Sequence, residues 1–549
     1  MNSPTHVVTN QFDELTGYNL FATDAPLHEA LERAGAGAFV PQLDAYGARV
    51  GRAETYALAA EANRRAPELH AFDSRGRRVD EVRFHPSWHT LMAMYRGEGL
   101  VALPFRDTRT GRWAAWAAGF YLHGQVEAGT LCPATMTQAC IPLLQREPAL
   151  WALLRDKLYD ERYDASDVPL DRKPSAWIGM GMTEKQGGSD VRANTTAATP
   201  VGAGGRGGEY LLRGHKWFYS APMSDAHLVV ALTPGGGPGC FYVPRWRPDG
   251  SRNAVLVQQL KDKVGNRSNS SSEVEFDGAW GVLIGEEGRG IPTIIEMASY
   301  TRLNCVVGSA AMLRQCLVQA LAYARQRVAF GRVLAEQPLM RAVLADLAIE
   351  GEAAMVLLMR LAEAYERGDD PAHRPWKRVM TPAAKFWVCK RAVELAGEAM
   401  EVFGGNGYVE ESIMARIYRE APVNSIWEGS GNVMCLDVIR AIAKEPAAAA
   451  ALLDELARDG GDEPRLRREL DGLRRLFDAP GEHREGLGRR LAERLVLVAQ
   501  GCLLRRHAPG FVTEAFIATR FDEGWGRVAG AVDCRNVDVG ALLGRAFPA

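Results

Sequence analysis

The sequence predicts a multidomain α+β protein in which helices, strands and a helical bundle follow one another along the chain. Before about residue 175, apolar residues recur at three- and four-residue spacing, as on amphipathic helices. Between Ser175 and Gly285, short apolar or alternating runs are separated by turns rich in Gly and Pro, which is typical of strands. From Ile291 onward, long apolar helical segments predict a bundle. We therefore expect domains at 1–178, 179–288 and 289–445, and a fourth, helical domain at 446–549.

The individual elements are predicted as follows. The clearest helices of the first region are Leu27–Ala34, which directly follows Pro26, Ala53–Asn63 and Leu91–Tyr95. The strands of the second region are Glu209–Leu212, Leu228–Leu232, Cys240–Val243, Val255–Leu260 and Glu273–Phe276. The bundle helices are Ile294–Gly308, Ala310–Arg327, Gln337–Ala364, Ala383–Phe403 and Val433–Ile442. The runs Ala447–Ala451 and Asp459–Pro464 indicate a hinge or spacer before the C-terminal helices.

Length and composition limit the class of protein. A chain of 549 residues is too long for one core, and 47% hydrophobic with 24% charged residues is ordinary for a globular protein. The net charge is −2, so a nucleic-acid surface would have to be local. Without a run of eighteen apolar residues or a basic-then-apolar leader, we expect a cytoplasmic protein with no membrane partner. The nine cysteines include no Cys-x-x-Cys pair and the histidines lack ligand spacing, which predicts no metal site.

Two glycine-containing stretches, Met182–Asp190 and Ile426–Asn432, are the strongest candidates for chemistry. In the first, two glycines precede a serine and an aspartate, which suits a tight turn whose backbone amides face a polar ligand. In the second, Glu428 directly follows Trp427, and an apolar wall beside a carboxyl group tunes it to accept a proton near neutral pH. Each stretch alone also suits a surface turn or a helix-entry loop, and only their combination is specific.

Five motifs stand in the order found in the acyl-CoA dehydrogenase flavoproteins, and the chain resembles that family from about residue 80 to 445. The motifs are T-E-x-x-G-G-S-D at 183–190, G-H-K-W-F-Y-S at 214–220, R-V-A-F-G at 327–331, F-G-G-N-G-Y at 403–408 and W-E-G-S-G-N at 427–432. The stretches 182–191, 260–270 and 422–432 are similar to the AidB branch in particular, the flavoproteins of the bacterial adaptive response to DNA alkylation. This resemblance implies an N-terminal helical domain, a middle β-barrel, a C-terminal helical bundle and FAD as cofactor. It does not by itself require the extra C-terminal helical domain.

The resemblance also implies which residues bind FAD. Main-chain and hydroxyl contacts are implied for Met182, Thr183, Gly188 and Ser189, with the serine at the pyrophosphate. In the next motif, the implied contacts are Phe218, which replaces a ring-stacking tryptophan, Tyr219, and Ser220, which supplies a hydroxyl near N5. Arg327 and Phe330 match residues that a neighbouring subunit contributes to the binding site for the ADP half of the cofactor. The resemblance therefore implies an obligate oligomer, a homotetramer. The remaining implied contacts are Gln337, Gly404, Gly405, Trp427, Ser430 and Asn432.

Catalytic residues follow from the same resemblance. Desaturation of an acyl thioester requires a base for the α-proton and an acceptor for the β-hydride. Glu428 matches the family's base, and Arg302 matches an arginine that the family places near that base. The base permits this chemistry but does not identify a substrate, and for the AidB branch only weak or vestigial acyl-CoA dehydrogenase activity is implied.

The C-terminal region is rich in arginine. Residues 464–507 contain eleven arginines against six acidic residues, and no lysine. Helical spacing places Leu466, Leu470 and Leu473 on one face, with Arg468 and Arg475 opposite. Such a face suits phosphates, which guanidinium groups bind through a planar fork, or it is a solvated face laced with salt bridges. The AidB resemblance favours phosphates and implies double-stranded DNA as partner. The candidates for DNA binding are Arg440, Arg467, Arg468, Arg474, Arg475 and Arg520.

Three functions remain open at this point. The first is an AidB-like FAD protein that binds double-stranded DNA non-specifically and protects it from, or detoxifies, alkylating agents. The second is an active acyl-CoA dehydrogenase, with Glu428 as base, FAD as hydride acceptor and a tail that serves only assembly. The third is a nitroalkane-oxidase-like enzyme, which Glu428 disfavours because that chemistry usually employs an aspartate.

Overall fold

The computed structural model describes residues 4–368, 370–522, 528–535 and 537–548. Its first part contains α1 (Ala25–Arg33), α2 (Val40–Val50), α3 (Ala53–Arg64), β1 (Glu68–Phe72), β2 (Arg78–Arg83), α4 (Pro86–Gly97), α5 (Leu103–Arg106), α6 (Arg112–Gly124), α7 (Leu131–Leu144) and α8 (Pro148–Tyr159). The three predicted helices are present as α1, α3 and α4. The antiparallel hairpin β1–β2 was not predicted. It is closed by Asp73, whose Oδ1 accepts from the backbone N–H groups of Arg75 and Arg77, both at 2.9 Å.

The middle of the chain folds into a closed β-barrel, as the resemblance implies. Its strands are β3 (Ile178–Gly181), β4 (Ala197–Pro200), β5 (Glu209–Ser220), β6 (Ala226–Leu232), β7 (Pro238–Pro244), β8 (Val255–Leu260) and β9 (Ser271–Ile284). The order β3-β6-β4-β5-β9-β7 closes because β7 also pairs with β6, and β8 adds to β9. Alternate residues point inward along each strand, so Tyr210, Leu212, Val229 and Phe241 fill the core. The five predicted strands are confirmed, and β3 and β4 are additional.

The remainder of the described chain is almost entirely helical. It comprises α9 (Gly290–Ala324), the short hairpin β10 (Val328–Ala329) and β11 (Arg332–Val333), α10 (Pro338–Glu366), a π-helical turn at Trp376–Met380, α11 (Thr381–Val402), α12 (Ile413–Ile426), α13 (Gly431–Lys444), α14 (Pro446–Gly460), α15 (Pro464–Phe477), α16 (Gly481–Gly486), α17 (Gly488–His507), α18 (Gly510–Phe521) and α19 (Val539–Ala546). The two helices predicted within 294–327 are a single helix, α9, since Ser309 between them is buried in regular helix and breaks nothing.

The predicted hinge is half right. Ala447–Ala451 lies inside α14, as the high helix propensity of alanine favours. The chain turns later, where Gly461 adopts φ +56° and Pro464 begins α15. Helix α9 is long and apolar enough to cross a membrane, but 94% of its most apolar window is buried within the protein, as in a core helix.

The described residues form two compact units. One contains residues 1–53, 109–126 and 305–549, and the other contains 54–108 and 127–304. The barrel belongs to the second unit. The described residues of 446–549 belong to the same compact unit as the bundle helices from residue 305 onward.

Candidate functional site

The turn that follows β3 is organised by a buried ion pair. Lys216 Nζ lies 2.7 Å from Glu184 Oε1, and both side chains are inaccessible to solvent. Glu184 also accepts from the backbone N–H groups of Thr195 at 2.7 Å and Thr196 at 3.1 Å. Burial alone raises the pKa of Glu184, but Lys216 and the donors at Thr195 and Thr196 lower it to about 2. The carboxylate therefore stays ionised and ties the turn to β5.

The same turn presents its polar tip outward. Backbone hydrogen bonds between Glu184 and Gly187 close it, at 2.9 and 3.2 Å. The carbonyl of Thr183 accepts from the backbone of Trp217 at 2.8 Å, so this group serves the fold. Gly188 and Ser189 are exposed beyond it. Hydroxyl and main-chain groups on an exposed, rigidly based turn fit the polar edge of a flavin and its pyrophosphate.

The aromatic end of β5 divides its side chains between the two faces of the strand. Phe218 is 50% exposed, with Lys261 Nζ 4.8 Å from its ring centre, so an aromatic surface is available to a ligand. Tyr219 points into the barrel and stacks on His227 at 3.8 Å. Strand alternation therefore turns the side chain of Tyr219 inward, so that only main-chain groups of this residue face the side of the strand that Phe218 and Ser220 share. Ser220 is half-buried on the next outward position.

Glu428 lies in the loop between α12 and α13 with a left-handed backbone, φ +60°. The next residue, Gly429, has φ +102°, and a Cβ there would lie 2.4 Å from the Met434 side chain. Trp427 is anchored because its Nε1 donates to Asn424 Oδ1 at 3.0 Å. Burial raises the pKa of the Cys305 thiol, and the Glu428 carboxylate adds to that effect, so the carboxylate lies within electrostatic range of this buried thiol. A half-buried carboxylate beside a tryptophan is suited to proton abstraction.

Other predicted residues of this loop and of α9 are placed as follows. Ser430 is half-buried immediately before α13. Asn432 is exposed, and its Oδ1 accepts from Arg489 Nε of α17 at 2.8 Å, a contact from the C-terminal region that the sequence did not indicate. Arg302 is half-buried on α9, in the compact unit that contains the barrel.

A short hairpin displays Phe330 to solvent. Phe330 and Gly331 form its turn with φ +52° and +75°, and Phe330 is 97% exposed. Gln337 supports the hairpin because its Nε2 donates to the carbonyl of Ala329 at 2.8 Å. Arg327 at its base is half-buried and donates to the carbonyl of Asn10. A phenylalanine held out of its own chain in a strained backbone conformation is unexplained by the fold of one subunit.

The F-G-G-N-G-Y motif forms a short 3₁₀ turn at the end of α11. Gly404, with φ +62°, and Gly405 are both exposed, so main-chain groups are accessible there. Tyr408, at the end of the turn, is also exposed. Accessible glycine backbone suits close approach of an elongated ligand.

The arginine face of α15 is confirmed as an exposed face. Leu466, Leu470 and Leu473 are buried, whereas the four candidate arginines Arg467, Arg468, Arg474 and Arg475 are exposed. Three of these have partners: Arg467 and Arg468 donate to the carbonyls of Gly461 and Phe521, and Arg474 lies 3.4 Å from Asp454 and Asp471. Arg475, like the exposed Arg440 of α13, has no carboxylate of a described residue within 4.0 Å.

Arg520 is not a surface residue. It is 1% exposed on α18, donates to Asp346, and lies 3.1 Å from Glu350, both acids being on α10. The prediction that Arg520 binds DNA is therefore wrong, because a phosphate cannot reach a guanidinium enclosed between two helices. The error was unavoidable from composition, since the two acids are more than 150 residues away in the sequence.

Two lysines near these loops were not predicted as functional. Lys216 pairs with Glu184, as described above, and Lys385 is buried on α11. The signal for Lys385 was present: a single lysine interrupts the apolar run Ala383–Cys389, and a helix segment so apolar is buried.

Comparison with known proteins agrees with this arrangement. Three family models match in order: the adaptive response protein AidB N-terminal domain at 10–165, the acyl-CoA dehydrogenase middle domain at 179–279 and its C-terminal domain at 288–443. AidB of Escherichia coli (strain K12) is 46% identical over 524 residues, which are 95% of each chain. The chain belongs to the AidB branch of the acyl-CoA dehydrogenase family. Family membership makes FAD its cofactor, and the exposed turn, the aromatic surface of Phe218 and the accessible glycines fit that group.

Solved structures of the family share the fold. Caenorhabditis elegans ACDH-11 in complex with C11-CoA has a TM-score of 0.85 and 25% identity, and the match covers 96% of this chain and 95% of that one. The acyl-CoA dehydrogenase complexed with FAD from Bacillus anthracis has a TM-score of 0.65 and 17% identity, covering 79% and 81%. The second likeness concerns the fold alone.

Proposed function

We propose that this protein is an oligomeric FAD protein that binds duplex DNA without sequence preference and protects it from, or detoxifies, alkylating agents. The observation that carries this proposal is the 46% identity with AidB over 95% of both chains. A match of that length includes most of residues 446–549, so the arginine-rich region belongs to what the two proteins share. The function expected of the AidB branch is thus the first one to test here.

The flavin contacts that we assign are those that the structure leaves accessible. Thr183, Gly188 and Ser189 would hold the polar edge and pyrophosphate, and Phe218 would cover one face of the ring system. When bound, FAD supplies an acceptor for hydride or for electrons from a reactive substrate. Arg327 and Phe330 would complete the site of a neighbouring subunit, which makes a homotetramer the proposed assembly. The exposure of Phe330, Leu339 and Tyr408 supports this, because aromatic and aliphatic groups so exposed mark interfaces.

The DNA surface that we propose is the exposed face of α15 together with Arg440. Arg475 and Arg440 are not engaged by a carboxylate of a described residue, so they would bind phosphate without breaking an ion pair. Arg474 would exchange exposed pairs with Asp454 and Asp471, which are worth little in water. Contacts of this kind read the phosphate backbone rather than the bases and give a steep salt dependence.

Fluorescence anisotropy with a random-sequence duplex at several salt concentrations tests this surface. Replacing Arg467, Arg468, Arg474 and Arg475 by glutamine should weaken binding. The slope of log K against log salt should become less steep by about 0.9 for each phosphate contact that is lost. The matched control is Arg505→Gln with Arg506→Gln, because these exposed arginines of α17 are paired with Asp462 and Asp459. Equal loss in both variants, or no loss in either, would remove α15 as the binding face.

An active acyl-CoA dehydrogenase is the second candidate, and two observations favour it. Glu428 lies in a strained loop beside Trp427, and the crystal structure of ACDH-11, which matches over almost the whole chain, is of its complex with C11-CoA. In this function Glu428 would take the α-proton of a thioester and hold it on its carboxyl group. Anaerobic bleaching of the flavin by a panel of acyl-CoA chain lengths, abolished by Glu428→Gln, would establish it. A flavin that no chain length bleaches would remove this second candidate.

A further inference from the structure

Lys385 is a buried cation without an ion pair. Its side chain lies on α11 with 1% relative exposure, and no carboxylate of a described residue is within 4.0 Å of its Nζ. The ammonium instead donates two hydrogen bonds to backbone carbonyls, those of Asn424 and Gly429, both at 2.9 Å. Burying a charge without a counterion is strongly unfavourable, and a methionine would fill the same volume without that penalty. A lysine at this position therefore calls for a role that a neutral side chain cannot fill.

The two carbonyls bracket Glu428. Asn424 lies in the last turn of α12, where carbonyl groups lack helical partners and the helix dipole favours a cation. Gly429 directly follows Glu428, so Lys385 binds the peptide group that links Gly429 to Ser430, one residue beyond the base. Asn424 extends the same network: its Oδ1 accepts from Trp427 Nε1 at 3.0 Å, and its Nδ2 donates to Ser309 Oγ at 3.2 Å.

The loop requires such a restraint. Glu428 has φ +60° and Gly429 has φ +102°, both in the left-handed region, which L-residues such as glutamate rarely adopt. A strained backbone conformation of this kind persists only when contacts with the surrounding structure hold it in place. Rotation of the Glu428 backbone toward an ordinary conformation would move the Gly429 carbonyl away from Lys385. The ammonium thus opposes the very rotation that would displace the carboxylate.

We propose that Lys385 is the positioning residue of Glu428, holding Glu428 and Gly429 in the left-handed conformation that presents the carboxylate to the α-carbon of a thioester. The role rests on the second candidate function, the acyl-CoA dehydrogenase, in which Glu428 acts as a base. Lys385 itself does not touch the substrate. It acts through two backbone carbonyls, and its loss should slow proton abstraction without removing ligand or cofactor affinity.

The test is α-hydrogen exchange of a 3-thiaacyl-CoA by the full-length FAD-loaded protein in D₂O, followed by mass spectrometry. This probe has sulfur in place of the β-carbon, so the base can remove its α-proton but no β-hydride can leave. Lys385→Met should slow exchange by about 10- to 100-fold, as expected for a base displaced by about 1 Å. The Kd of the probe and the FAD content should change less than about threefold. Lys385→Arg, which keeps N–H donors for both carbonyls, should recover part of the rate.

Lys390→Met is the matched control. This lysine lies five residues further along the same helix, and its Nζ is 3.5 Å from the hydroxyl of Ser425, so its removal deletes a positive charge beside the same segment without releasing either carbonyl. Exchange by Lys390→Met should match the wild type. An equal loss in both variants, or an unchanged rate in Lys385→Met, overturns the proposal. If Lys385→Met does not fold or does not retain FAD, Lys385→Gln and Lys385→Arg are measured instead. The exchange rate should then be highest for the wild type, lower for Lys385→Arg and lowest for Lys385→Gln.

Failure of the proposed function is separable from failure of this role. If Glu428→Gln exchanges the probe as fast as the wild type, then Glu428 is not the base and the dehydrogenase chemistry is wrong. Amide hydrogen exchange of the peptide covering 427–430 then tests Lys385 alone. Faster exchange in Lys385→Met, with Lys390→Met unchanged, retains Lys385 as the restraint on the loop, and equal protection in all three proteins excludes it.

Discussion

Glu184 and Lys216 illustrate how a binding turn is built from a buried pair. Glu184→Gln should destabilise the protein by about 3 to 5 kcal/mol, because Lys216, whose pKa burial already lowers to about 8, would lose its counterion in the barrel wall. The exposed residues Gly188 and Ser189 would lose their rigid base, so FAD should be lost as well. Thermal unfolding and the FAD content of the purified protein measure both effects. The double variant with Lys216→Met should be more stable than the single one, and a double variant that is equally or less stable would contradict this account.

The same pair predicts a sensitivity to acid. The pKa of Glu184 is lowered to about 2 from its ordinary 4.5, since Lys216 and two threonine donors outweigh the effect of burial. The ionised Glu184 therefore stabilises the folded state by about 3 kcal/mol. This contribution is fully present above pH 4.5 and is lost as the pH falls toward 2. Unfolding midpoints measured across this range should fall less steeply for Glu184→Gln than for the wild type. Parallel curves for the two proteins would show that the folded-state pKa of Glu184 is close to normal.

Among the elements, those governed by apolar periodicity were predictable, and those governed by specific side-chain contacts were not. The strands β5 to β9 and the long helices follow from apolar spacing, whereas the hairpin β1–β2 depends on a turn closed by Asp73. The motifs identified the turn at 183–189 and the loop at 427–432, but not that Tyr219 turns inward. Helical spacing correctly placed the arginine face of α15. It could not reveal that Arg520 meets two acids of α10, because no local pattern encodes that contact.

The hairpin formed by β10 and β11 carries a prediction about assembly. Phe330→Ser should leave the fold of the subunit and its unfolding midpoint in the dissociated state unchanged, because the ring makes almost no contact within its own chain. It should weaken the oligomer and lower FAD occupancy together, since the proposed flavin site is completed by this residue. Mass photometry over a dilution series measures the first effect and flavin absorbance the second. Phe72→Ser, at another exposed phenylalanine, is the control, and identical behaviour of both variants would exclude a specific role for the hairpin.

The C-terminal region is joined to the bundle by buried charge as well as by apolar packing. Arg520 on α18 meets Asp346 and Glu350, and Glu350 is also 3.4 Å from Arg391 of α11. Arg545 on α19 bridges Glu29 and Glu352 at 2.6 and 2.9 Å. Helices from both ends of the chain are therefore tied to α10. The arginines of this region therefore include an inner set that ties it to the bundle and an exposed set, to which the four candidate arginines of α15 belong.

This division predicts that the region cannot simply be deleted. A chain ending at residue 445 loses Arg520 and leaves Asp346 buried without its partner, so we expect it to aggregate or to unfold, with loss of FAD. In the full chain, Arg520→Met should cost about 3 to 5 kcal/mol for the same reason, measured by urea unfolding. The folded fraction should still bind duplex DNA with the wild-type salt slope, in contrast to the α15 variant. A stable, FAD-loaded protein of residues 1–445 would instead show that the C-terminal region is an independent module. A less steep salt dependence of DNA binding by Arg520→Met would show that this buried arginine becomes accessible to DNA.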